Sequence, residues 1–372
     1  MAANTIDETK QVSPYLIFFL IGSMQMGVGV LGFQRVIAAE VGYDAWIATL
    51  AAGLSIHFIL FFQFKILEKG GGDIVEAHKL AFGKWIGGSI SLLFSLYFLA
   101  VATTIIRTYL EIVQVWMFPQ LHIFWVSFLL VLLAFYIVYS GFRTVTGVAF
   151  FGLVLPSYLI FTFGFTFPYS DYRNLLPIFD SGFMELVKGF KAMSLTLLGY
   201  ESVLMFYPFI KEPKKAKKWA HLAVLMMTLF YTVVAIISFA FFSEPQLEKT
   251  VWATLSIWKI VEMPFIERFE YLGIGNWVLI ILPNVCIALW CGSRIIKRVT
   301  KMRQKIALFI LCSLVVAGIP FLDRREHINM LNDILGKAGL YFNYVYIPML
   351  FVIIMIARKV RKKNDSPKQE NK

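Results

Sequence analysis

Long apolar runs separated by short polar connections repeat along the whole chain. Segments of spanning length occupy Tyr15–Ala38, Ala45–Leu67, Ile86–Ile106, Leu121–Ser140 and Thr144–Phe167. After a polar break come Val187–Ile210, Trp219–Phe242, Tyr271–Ile295, Ile306–Phe321 and Leu340–Ala357. A lipid-spanning helix needs about 20 mostly apolar residues, so the pattern predicts an all-α polytopic membrane protein of about ten transmembrane helices. The longest connection, Phe242–Glu270, is neither uniformly apolar nor uniformly polar. Its TVWATLSIWKIVEM stretch reads as amphipathic, which predicts a surface helix capping the bundle with Trp252 and Trp258 at the membrane edge. A smaller surface helix is expected within Leu175–Glu185, in the polar break.

Composition strengthens this reading. Apolar residues make up 59% of the chain and charged residues 16%, against about 45–50% and about 25% in soluble domains. With 372 residues, little is left for a soluble domain. The net charge of +12 raises the question of nucleic acid, but the basic residues sit in short runs between apolar segments rather than on one polar face. They mark orientation in a lipid bilayer instead. With a cytoplasmic N-terminus, the inner segments hold Lys65, Lys69, Lys79, Lys84, Arg143, Lys211 to Lys218, Arg294 to Lys305 and the tail from Arg358. The outer ones hold Glu40, Asp44, Asp171, Asp180, Glu244, Glu248, Glu262, Glu267 and Glu270. This asymmetry places both termini inside. PKKAKK at Pro213–Lys218 is a topology signal or a contact for anionic lipid heads or a cytoplasmic partner. The polar N-terminus lacks the features of a cleaved secretory signal, so the first apolar segment is expected to stay as a span.

Two spans carry features that an anchor does not need. The first reads GSMQMGVGVLG, with Gly22, Gly27, Gly29 and Gly32 through its middle, where glycine costs about 1 kcal/mol each against alanine. The cluster points to local unwinding around a ligand or to close helix packing. A zwitterion suits an unwound segment, its carboxylate facing helix N-termini and its amino group facing freed carbonyls. The sixth span carries SLTLLGYES, with Gly199 and Glu201 near mid-membrane. A carboxylate there costs about 2.5 kcal/mol or more unless it finds a cavity, a partner or a proton. Glu201 holds a ligand ammonium, exchanges a proton, or locks the resting state through a buried pair, for which Arg35 is one candidate partner. Tyr97, half-way along the third span, offers a ring face and a hydroxyl. Arg107 and Glu111 are spaced to pair on one helix face. Pro283 and Asn284 interrupt the eighth span, and Asn284 lines the cavity or bonds a neighbouring helix.

Catalytic signatures are missing: there is no Gly-rich phosphate loop, zinc-type His cluster or G-x-S-x-G elbow. The five histidines are scattered, and His57 reads as a lone packing residue. Cys286, Cys291 and Cys312 lie in apolar stretches without metal-ligand spacing and read as reduced packing residues. No enzyme activity, metal or cofactor is expected.

The chain resembles the spore germination permeases, the B-type subunits of GerA-type germinant receptors within the amino acid/polyamine/organocation transporter superfamily. The likeness runs from the glycine-rich first span through Gly42, Asp44, Ala45 and Trp46, then Lys84, Trp85, Ile86 and Gly87. It continues through Asn174, Leu175, Leu176, Pro177 and Gly182, the segment GYESVLMFYPFIKEPKKAKK, Glu267, Arg268 and Phe269, and YVYIPMLFVIIMIARKVRKK. Two places depart from the family pattern. Phe33, Gln34 and Arg35 stand where a proline is frequent, and Gly141, Phe142 and Arg143 where an acid commonly follows the glycine.

The resemblance implies a five-plus-five inverted repeat (LeuT/APC-like) with broken first and sixth helices. On that basis residues 1–170 and 185–358 form the two repeats and 359–372 a basic cytoplasmic tail. It implies a ligand pocket of Gly27, Gly29, Tyr97, Val101, Leu198, Gly199, Glu201 and Asn284. It also implies a small germinant, commonly an amino acid, partnership with an A-type membrane subunit and a C-type lipoprotein, and residence in the spore inner membrane. A permease acting alone by alternating access uses the same pocket, and a sugar or nucleoside ligand stays open.

Overall fold

The computed structural model describes residues 6–365, and side chains up to residue 360. The last part of the expected tail, 366–372, lies outside the described residues. Among the described residues there is no β-strand beyond two isolated bridges. Seven helical stretches are long and apolar enough to cross a membrane, and Pro14–Gln25 and Ile123–Tyr139 are shorter apolar helices. The protein is an all-α, multi-pass membrane protein.

The first span is split. Helix α1 (Ile17–Gln25) ends in mid-span, and α2 (Phe33–Val41) resumes after a 3-10 turn at Val28–Leu31. Helix α3 (Ala45–Gly70) returns, and α4 (Ile74–Trp116) follows with a kink at Gly83. Then come α5 (Ile123–Tyr139) and α6 (Phe142–Val154), which continues as a 3-10 helix over Leu155–Tyr169. The sixth span is split in the same way, into α7 (Phe183–Met193) and a short α8 (Val203–Phe206) flanked by 3-10 turns. Helix α9 (Pro213–Phe241) leads to two short helices, α10 (Glu244–Lys249) and α11 (Ala253–Trp258). The chain closes with α12 (Phe269–Thr300), α13 (Gln304–Gly318), α14 (Arg325–Tyr341), a π-helical turn at Phe342–Tyr346, and α15 (Ile347–Asp365). The most extensive pairings are α12 along α4 and α3 along α9. These are the third span with the eighth and the second with the seventh.

Several sequence expectations are corrected. The connection after α9 does cap the bundle, but its tryptophans are interior: Trp258 is 1% exposed and gives its indole N–H to Thr162 Oγ1 at 3.0 Å, and Trp252 is also buried. Its apolar side faces protein, not lipid. No separate surface helix forms within Leu175–Glu185: residues 176–182 are a loop that the Asp44 carboxylate grips by accepting from the amides of Phe179 (3.1 Å) and Ser181 (3.0 Å), and Phe183 already opens α7. Helix α12 runs unbroken through Pro283. Arg107 and Glu111 do not pair with each other. Arg107 donates to the carbonyls of Leu322 and Asp323, and Glu111 takes Arg325 at 2.6 Å. His57 is not alone, since its ring stacks on His221 of α9 with their Nδ1 atoms 2.8 Å apart.

At the basic end, Arg298 on α12 meets Asp73 (3.0 Å) and Glu76 (2.9 Å) before and on α4, and Lys217 meets Glu68 at 2.5 Å. Arg143, one of the departures from the family pattern, ties down the N-terminal segment through the carbonyls of Gln11 (3.0 Å) and Glu8 (3.1 Å).

Candidate functional site

The two breaks meet in the middle of the bundle, and each freed backbone group there needs a partner. Past α1, Tyr231 of α9 donates its hydroxyl to the Gln25 carbonyl at 2.8 Å, and Asn284 of α12 gives Nδ2 to the Met26 carbonyl at 3.3 Å. Ser23 donates to Asn284 Oδ1 at 3.2 Å, and Thr254 of α11 caps the Val30 carbonyl at 2.8 Å. Gln25 reaches across to the second break, donating to the Leu197 carbonyl at 3.0 Å. The first break is therefore fastened by neutral side chains from three other helices.

Gly199 explains the approach of the second break to the first. Its φ of +120° is disfavoured for a side-chain-bearing residue, and a Cβ there would lie 2.6 Å from Met24 Cβ and 2.9 Å from Met24 backbone atoms. The chain then turns at Tyr200–Ser202. Glu201, 1% exposed, accepts from the Tyr97 hydroxyl at 2.6 Å through Oε1 and from the Gly199 amide at 2.8 Å through Oε2. Asn343, in the π-helical turn, adjoins the same carboxylate. It is oriented by Gln63 (3.1 Å) and by the Gly339 carbonyl (3.0 Å). π-Helical turns recur at functional sites because they redirect a side chain that ordinary helical register would turn elsewhere.

Two groups of the expected pocket residues thus come together: Gly27 with Asn284, whose Nδ2 is 3.3 Å from a Cβ built on Gly27, and Glu201 with Tyr97 and Gly199. Gly29 faces Thr196 of the second break, 3.0 Å from where its Cβ would be. Val101 lies one turn beyond Tyr97 and is half-buried. Leu198 turns toward α14, filling the space over Gly339. With Ser194, Tyr200 and Tyr344 it lines a cavity of about 10 Å³, enough for a single water molecule. Arg35 is not a partner of Glu201, because it points outward and donates to the Glu248 carbonyl at 2.7 Å.

This arrangement can be set beside known proteins. A family model described as spore germination protein matches residues 11–328. The chain is 44% identical to spore germination protein GerQB of Bacillus cereus over 352 residues, 95% of this chain and 98% of that one. The chain belongs to the spore germination protein family. Within the family it is also 24% identical to spore germination protein A2 of Bacillus subtilis (strain 168), covering 92% of this chain and 95% of that protein. By fold this spore germination protein is similar to a Na+-coupled sialic acid symporter in a substrate-bound outward-open state. That likeness has a TM-score of 0.70 at 13% identity, over 96% of this chain and 81% of that one. It is similar as well to MhsT in complex with L-phenylalanine (TM-score 0.60, 14% identity, 94% and 99% covered). A third likeness is to Mhp1, a nucleobase-cation-symport-1 family transporter (TM-score 0.58, 13% identity, 95% and 80% covered). These likenesses show a shared fold.

Residues that sequence reasoning missed are Ser23, Gln25, Thr196, Tyr231, Thr254 and Asn343. Gln25 and Asn343 did leave a signal, as amides inside apolar runs. The others are common on helix faces and gain their roles only from which helix lies opposite.

Proposed function

We propose that this chain is the germinant-sensing membrane subunit of a spore germination receptor. It binds a small germinant, an amino acid, at the meeting point of the two breaks and triggers germination through partner subunits. The observation that carries this reading is the Tyr97–Glu201–Gly199 linkage, a buried ionisable group holding one broken span to an unbroken helix in the middle of a membrane protein of this family. A ligand ammonium competes with the Tyr97 hydroxyl for Glu201, while the turns that open at Val28 and Tyr200 offer backbone amides to a carboxylate. Exchange of one partner for another alters how the second break is held, and differential affinity for the two arrangements drives the switch.

On this reading residues 1–170 and 185–358 act as the two repeats that move against each other. The termini face the cytoplasm, 359–372 forms a basic tail there, and the protein sits in the spore inner membrane with an A-type membrane subunit and a C-type lipoprotein. The likeness to solved symporters favours one second reading: a proton-coupled amino-acid permease acting alone by alternating access.

Spores lacking the gene, tested against amino acids, sugars and nucleosides, separate the two. Loss of response to one compound class supports the receptor. Normal germination on every compound, with amino-acid uptake by the isolated protein in vesicles, supports the permease.

A further inference from the structure

Four side-chain polar atoms along one stripe of α4 are buried without a hydrogen-bond partner: Thr104 Oγ1, Arg107 Nη1, Thr108 Oγ1 and Glu111 Oε2. Thr104, Arg107 and Thr108 are 7%, 2% and 5% exposed. Threonines inside helices commonly return the hydroxyl to the carbonyl four residues back, as Thr49, Thr103 and Thr146 do. Thr104 and Thr108 do not. Residues 97, 101, 104, 108 and 111 share one helical face, so the stripe begins at the Tyr97 that holds Glu201 and rises roughly 21 Å to Glu111.

The top of the stripe is strapped shut. Arg107 Nε donates to the Leu322 carbonyl at 2.5 Å and Nη2 to the Asp323 carbonyl at 3.2 Å. Arg325, at the start of α14, reaches Glu111 Oε1 at 2.6 Å and lies 5.2 Å over the Trp252 ring. The chain between α13 and α14 therefore closes over a row of polar atoms left dry. Folded proteins tolerate few such atoms, because each has lost its water without gaining a partner.

We propose that this stripe is an outer binding subsite for the zwitterionic head group of an amino acid, occupied on the way to the central site. The Arg107 guanidinium and the two hydroxyls take the carboxylate. Glu111, one turn further out and about 6 Å away between Cβ atoms, takes the ammonium. A neutral polyol leaves both charges unanswered, which sets the preference for a zwitterion. The proposal rests on the receptor reading with an amino acid as germinant.

The test uses whole spores and twenty L-amino acids as probes. Spores lacking the gene first identify the amino acids whose effect depends on this chain. If there are none, the receptor reading fails and the subsite with it. For a dependent amino acid, the double variant Thr104→Val with Thr108→Val is expected to need about tenfold more of it for the half-maximal germination rate. The rate at saturation and the amount of protein in the membrane stay unchanged. The serine pair, Thr104→Ser with Thr108→Ser, keeps the hydroxyls and responds like the native chain. Should the valine pair accumulate poorly, Thr108→Val alone carries the same test with a smaller shift. An unchanged dose curve, or a lower saturating rate without a shift, overturns the subsite and leaves the receptor reading standing.

Discussion

The first and sixth spans both break within the bundle and touch each other, yet they are held differently. The first break is fastened to the scaffold at several points by neutral donors: Tyr231, Asn284 and Thr254 each cap a freed carbonyl. The second takes one neutral donor, Gln25 on its Leu197 carbonyl, and its other anchor is an ionisable side chain, Glu201, shared between Tyr97 and its own backbone. A segment pinned at several points by neutral groups resists movement. One anchored through a carboxylate changes when that carboxylate gains or loses a partner. On the receptor reading, the first break serves as the platform of the site and the second as its moving part.

Variants that break this comparison differ in expected size. The largest effect falls on Gly199→Val. A β-branched residue at φ +120° costs about 1–3 kcal/mol in backbone strain alone, and its Cβ runs into the Met24 backbone. The two breaks can no longer meet, and germinant response is expected to disappear with a fall in folded protein, read by immunoblot of spore membranes.

Next comes Asn284→Ala, which leaves the Met26 carbonyl and the Ser23 hydroxyl without their partner. The expected loss is about 1–3 kcal/mol, seen as a lower melting temperature of the detergent-purified protein with the order of germinant preference intact. A changed preference order would instead put Asn284 in direct contact with ligand.

Smaller still, and useful as a pair, are Gly29→Val and Gly22→Ala. The first presses on Thr196 of the moving break, at 3.0 Å, and is expected to weaken germinant response several-fold. The second comes close to a methyl of Leu153, at 3.2 Å, with the Met227 and Met226 methyls at ordinary contact, and is expected to stay within about 0.5 kcal/mol of the native chain. Equal effects would mean that the glycines serve helix packing alone.

Much of the fold was legible because hydrophobic length and local glycine both act within one segment. The apolar runs all fall on helices, although α4 (Ile74–Trp116) and the last helical stretch (Arg325–Val360) extend well beyond the expected Ile86–Ile106 and Leu340–Ala357, and GVGVLG and LLGYES located the breaks. Glu201 was legible because a carboxylate in an apolar run is costly, whatever surrounds it. What could not be read is which side chain meets which across helices. Arg35 looked like a partner for Glu201, but the rotation of α2 turns it toward α10. Arg107 and Glu111 have the spacing of a pair, yet Arg107 finds the carbonyls of the connection before α14 and Glu111 finds Arg325 at the start of α14, a choice that depends on where that helix begins. Tyr231 and Thr254 carry no signal in sequence, since their value lies in a carbonyl that another segment exposes.

The most direct measurement is the germination dose curve of spores carrying Glu201→Gln, at a receptor level matched to native spores. The amide keeps the size of the side chain and removes its charge, so the second break loses the group that, on the receptor reading, a ligand ammonium competes for. A response lost or shifted at least tenfold to higher germinant, with normal protein in the membrane, is the predicted result. A native dose curve at normal abundance would contradict the account and make Glu201 a packing residue.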